Sequence, residues 1–80
     1  MYEMRGREII AAIMDKTGTS NAKLADRLGI SNATAWDRVN TKKTKDIPVS
    51  MLAEMVRTMD YKVVVVPRTT KIGQEWFEVS

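Results

Sequence analysis

Apolar side chains recur every three to four residues through the first three quarters of this chain, then run in succession near its end. Ile9, Ile10, Ile13 and Met14 share one side of a helix drawn from Glu3 to Lys16, and Gly18 ends it. Thr19 or Ser20 caps a second helix, Ser20 to Leu28, with Leu24, Ala25 and Leu28 as its apolar stripe. Gly29 stops that helix, since glycine enters a left-handed C-cap conformation without the steric penalty of a Cβ. Ile30 carries the stripe across the turn, and Ser31 or Asn32 caps a third helix reaching Asn40. Pro48 has the fixed φ of a helix first turn. Met51, Leu52, Met55, Val56 and Met59 then form one side of a fourth helix, which leaves at Asp60.

Beyond Asp60 the period becomes that of a strand. Tyr61-Lys62-Val63-Val64-Val65-Val66 is rich in β-branched residues and closes at Pro67. Glu75-Trp76-Phe77-Glu78-Val79 reads as a weaker second strand, after a loop containing Gly73. Val63 and Val65 face one way, Val64 and Val66 the other, so both faces are apolar and call for cover. A lone two-stranded hairpin is marginal in water, which favours pairing of this strand with its copy in a second subunit. An intramolecular hairpin folded over the helices is the alternative. The expected division is residues 1–60 as a helical body and residues 61–80 as a dimerisation arm. Tyr61, Val63, Val64, Val65, Val66, Trp76 and Phe77 are the expected interface.

Composition narrows the chemistry. Eighty residues make one domain with a small core, for which dimerisation is a reasonable source of stability. Histidine and cysteine are absent, which excludes zinc fingers, thiolate metal sites, disulfides and the commonest nucleophiles and general base. No nucleophile–base pair or metal cluster emerges at meaningful spacing, so neither catalysis nor a cofactor is expected. The amino-terminal MYEMRGREII lacks the apolar core of a signal peptide, and no run is long enough to cross a bilayer, giving a cytoplasmic, non-membrane expectation. The net charge of +3 is modest, but Arg38 to Lys45 reads RVNTKKTK, with four basic residues and no acid. Directly after the third helix, that cluster suits phosphate contact.

Two short helices joined at Gly29, with small Ala25 where they would cross, form a unit able to lay its second helix in a DNA major groove. The residues LADRLGIS, preceded by a polar cap and followed by the basic loop, resemble the Cro/C1-type (lambda-repressor-like, XRE) helix-turn-helix family. Ala25, Gly29, Ile30 and Ser31 fall at that family's spacing, and the resemblance extends over about Ile9 to Met59. The KVVVVPR segment resembles small members with a C-terminal strand, found widely in bacteria and mobile elements. The resemblance implies a mainly α, four- to five-helix DNA-binding domain with a C-terminal strand or hairpin, usually dimeric. The family commonly places aliphatic residues where this chain has Ala35 and Arg38, whereas Trp36 and Val39 one step later are better core choices. A turn longer by about one residue would bury Trp36 and Val39; the competing placement of Trp36 is against DNA.

With Trp36 and Val39 inward, the residues expected to read bases are Asn32, Ala33, Thr34, Asp37 and Arg38. Arg38 suits guanine, Asn32 adenine, and Ala33 and Thr34 thymine methyls, while Asp37 pairs with Arg38 or Lys42. Thr19, Ser20 and Asn21 at the second helix's amino terminus, with Thr41, Lys42, Lys43 and Lys45, are the expected phosphate contacts. Asn21 stands at a position that the family often gives to a phosphate-binding glutamine. The function expected is that of a repressor or autoregulator, a homodimer on a palindromic operator in double-stranded DNA. The alternative is a protein-interaction module on the same scaffold, of antitoxin or phage-inhibitor type. Its partner surface would be Trp76, Phe77 and the Arg68 to Lys71 loop.

Overall fold

Two glycines with positive φ, Gly18 at 67° and Gly29 at 69°, separate the first three helices. The computed structural model describes residues 3–68 and 76–80, so Lys71, Gly73 and Glu75 lie outside the described residues. The helices are α1 (Gly6–Thr17), α2 (Asn21–Leu28), α3 (Asn32–Val39) and α4 (Val49–Arg57). Strands β1 (Val63–Val65) and β2 (Phe77–Val79) follow.

The caps fall where local chemistry puts them. The Ser20 and Ser31 hydroxyls accept from the Lys23 and Thr34 amides, each at 3.1 Å. Helix α1 starts later than expected, at Gly6, because the Asp46 carboxylate from a distant loop accepts from the Gly6 and Arg7 amides at 2.8 and 3.1 Å. Gly6 allows that approach: a Cβ there would lie 3.1 Å from Asp46 Oδ1 and 3.2 Å from Ile47 Cγ1. Asp60 takes φ 65° as the chain leaves α4, a conformation that aspartate tolerates better than most residues.

Ile10, Leu24, Met55 and Val56 are fully buried and, with Val39 and Met59, join α1, α2, α3 and α4 in one core. Ala25, Ala35 and Ala53 are buried beside them. Such small residues let helix backbones approach, at the cost of leaving room for nothing larger.

The strands pair antiparallel within the chain, with Val63 opposite Val79, Val64 opposite Glu78 and Val65 opposite Phe77. This is the hairpin alternative rather than a first strand lacking a partner of its own. Val63 packs on the core, so it is not free to form an interface as expected. Farther out on the same face, Val65 is 56% and Phe77 74% exposed. On the other face Lys62 lies 4.2 Å over the Trp76 ring and 4.0 Å from Glu78.

Candidate nucleic-acid interface

The register of α3 decides which side chains this face offers. Ala35 is fully buried and Val39 nearly so, whereas Trp36 is 60% exposed, which overturns its expected core position. Ser31 caps α3 and Asn32 is its first residue, as expected, but that start does not turn Trp36 inward. Size explains the choice. Helix α3 packs on α1 and α2 with Ala35 fully buried between them, and a close helix approach favours a methyl there over an indole. Arg38, expected to face outward, is half-buried on the opposite flank, where its guanidinium lies 3.9 Å from Glu54 on α4. Its aliphatic stem serves the position as an apolar side chain would, with the charge carried out to the edge.

At about 100° per residue, Asn32, Ala33, Trp36, Asp37 and Asn40 occupy one outward sector of about 140°, and Arg38 lies outside it. Trp36, Ser20 and Asn40 also line one open cleft of about 730 Å³, placing the indole on the same side as the amino terminus of α2. The Asn21 amide nitrogen donates to the Asn32 carbonyl at 3.0 Å and ties the starts of the two helices together. That use makes Asn21 a brace rather than a free phosphate ligand. Its Oδ1 is buried without a partner among the described residues.

Other expected contacts are also engaged. Thr19 is buried and its hydroxyl hydrogen-bonds that of Thr17 at 2.7 Å, so it does not present a donor to DNA. Thr34 is exposed, but its hydroxyl accepts from Ser31 at 2.9 Å as part of the cap. Asp37 pairs with Lys43, not with Arg38 or Lys42. The hydrogen bond and charge of Lys43 hold the Asp37 carboxyl below its ordinary range. The pair cancels one charge on each side of this surface. Ser20, Thr41, Lys42 and Lys45 remain exposed, with no ion pair to either lysine among the described residues.

The basic loop is held by two arginines that the sequence pattern left unassigned. Arg7 on α1 is buried, and its guanidinium donates to the carbonyls of Asp37, Arg38 and Lys45 at 2.5, 3.0 and 2.8 Å. It thereby caps the carboxyl end of α3 and fixes the loop to it. Arg5 donates to the carbonyls of Thr41 and Lys43 at 2.6 and 2.8 Å. Asp46 completes the clamp through α1, and the amides of Gly6, Ile47 and Arg7 hold its carboxyl below the usual range. A cation fixed on backbone carbonyls leaves the loop's Lys42 and Lys45 free of that task. RGR at a helix start followed far downstream by Asp-Ile-Pro is the only trace of this in the sequence.

Residues 5–41 match the family described as winged helix-turn-helix DNA-binding. The match spans α1, α2 and α3 and stops before α4 and the hairpin. No curated protein and no solved structure matches the chain significantly. The segment is thus a helix-turn-helix similar to those of DNA-binding domains, in a mainly helical chain with a two-stranded antiparallel sheet. Among the described residues no helix is long and apolar enough to cross a membrane.

Proposed function

We propose that this protein is a sequence-specific DNA-binding regulator of the lambda-repressor-like kind, which inserts α3 into the major groove. The observation that carries the reading is the exposed face of α3, with Asn32, Ala33, Trp36 and Asp37 clear of the core and Trp36 lining one cleft with Ser20, the cap of α2. The first amides of α2 have no intrahelical acceptor, and they attract phosphate together with the positive end of the helix dipole. Lys42 and Lys45, on a clamped loop past the other end of α3, supply charge to the backbone there. Asn32 is suited to adenine, while Asp37 is engaged by Lys43.

Two copies reading a palindrome place their α3 helices about 34 Å apart. The exposed Val65 and Phe77 of the hairpin are the surface that joins them, and each strand keeps one unpaired edge. A regulator built this way represses by occupying its operator, its own promoter included. The same exposed pair also supports the protein-interaction reading, in which a different chain covers the hairpin.

A gel-shift series over salt concentration tests the proposal. Binding should weaken steeply with salt, and Lys42→Ala or Lys45→Ala should each lower the slope of log K against log salt by about 1 while leaving sequence preference intact. Weak, salt-insensitive binding would support the protein-partner reading instead, and a footprint without two-fold symmetry would remove the palindrome.

A further inference from the structure

The outward sector of α3 contains one feature that hydrogen bonding and charge leave unexplained. Trp36 keeps 60% of its surface exposed on a helix that has polar residues at Asn32 and Asp37 on either side of it. Ala33 stands three residues earlier on the same side, about 60° around the helix, so the two form a short apolar strip in a polar face. The indole lines a cleft together with Met14 and Val39, which puts apolar surface beside it. An exposed aromatic of this size forfeits a large apolar contribution unless a partner covers it.

Resting on the proposal that α3 enters the major groove, we infer that Trp36, with Ala33, selects thymine by contact with its 5-methyl group. Base edges in the major groove otherwise present hydrogen-bond donors and acceptors; the thymine methyl is their apolar group. A phosphate would gain little from an indole face, and a guanine or adenine edge would lose hydrogen bonds to water against it without replacement. The two groups that flank the strip fit this choice. Asn32 supplies the pair of bonds that adenine takes, and Asp37 is already occupied by Lys43, so neither competes with the methyl for the same position. The operator is therefore expected to hold thymine where Trp36 meets it, a preference the basic residues do not impart.

The test uses the full chain and the site recovered from a randomised duplex pool. That site is synthesised again with deoxyuridine replacing thymidine one position at a time, which removes a methyl and leaves every base pair and phosphate in place. The wild-type protein should lose roughly fourfold in affinity at one position per half-site, the worth of one buried methyl-sized group. Trp36→Ala, whose side chain is outside the core and whose helical circular dichroism should be unchanged, should bind more weakly and be indifferent to the same replacement. Trp36→Phe should retain part of the sensitivity. A wild-type protein indifferent to deoxyuridine at every position, a selected site without thymine, or a Trp36→Ala variant as sensitive as wild type would each overturn the assignment. With salt-dependent binding intact, the first outcome would mean that no thymine methyl is read and the last that another side chain reads it, and both would leave the DNA-binding proposal standing. Absence of any salt-dependent DNA binding would instead remove the proposal and this inference together.

Discussion

The helical body and the hairpin of this chain are held in opposite ways. The body closes on itself. Its core is continuous from Ile10 to Met59, the starts of α1, α2 and α3 are capped by side chains, and Arg5, Arg7 and Asp46 fasten the loop after α3 to the start of α1. The hairpin has strands of three residues each, rests on the core chiefly through Val63, and leaves Val65 and Phe77 in solvent. Short two-stranded sheets are marginal alone, so the hairpin has more to gain from a partner than the body has. Under the proposed function the difference would separate two tasks: a rigid surface that fits α3 to a groove, and an exposed one that joins a second copy.

The clamp in the body gives the largest expected effect. Arg7→Ala strips three carbonyls of a charged donor and should cost about 2–3 kcal/mol, read from urea unfolding. It should also weaken DNA binding beyond its effect on stability, since the loop carrying Lys42 and Lys45 is no longer fixed. If Arg7→Ala melts like wild type, the body does not depend on this clamp and the contrast loses its basis.

Acid should reveal the same clamp at a smaller scale. Asp46 has its carboxyl lowered in the folded chain, so its stabilisation is complete above about pH 4 and is lost as pH falls through the lower folded value. Asp46→Asn should reduce stability at neutral pH by a few degrees in melting temperature and flatten the fall below pH 4. Asp37 acts in the same direction through Lys43, but its exposed position leaves it screened. Thermal melts of both proteins between pH 3 and 7 measure the difference, and parallel curves would show that Asp46 is not the acid-sensitive link.

The smallest effect on stability, and the sharpest test of the contrast, belongs to the hairpin. Replacing Val65 and Phe77 together by serine should change the unfolding free energy of the monomer, measured at concentrations too low for association, by no more than about 0.5 kcal/mol, because both are exposed in the single chain. Sedimentation should nonetheless show self-association lost over micromolar concentrations. A wild-type protein that is monomeric throughout that range would leave the hairpin without a second copy as its cover.

Much of the fold was legible because it is written in neighbours along the chain. Ser20, Gly29 and Ser31 act within one turn of where they stand, so the bounds of α2 and α3 follow from local capping. The run of valines and the Trp-Phe pair announced strands for the same reason, through preferences of the residues themselves. The start of α1 was misplaced because Asp46, from the far side of the molecule, joins the local Glu8 in capping it. Thr19 and Asn21 were legible as residues of the right place and type, but their side chains are spent on Thr17 and on the Asn32 carbonyl.

The sequence by itself determined that α3 exists, where it begins, and that Trp36 and Ala35 are adjacent on it. Only the tertiary structure decided which of the two turns inward. A rule that larger apolar side chains go inside selects Trp36; the distance between packed helices selects Ala35, and that distance is a property of three helices together. The same holds for Arg38, whose partner Glu54 comes from α4, and for Arg7, whose carbonyls belong to α3 and the loop. Local preference sets where an element starts and stops, while the volume and polarity that other elements leave open set which face it shows.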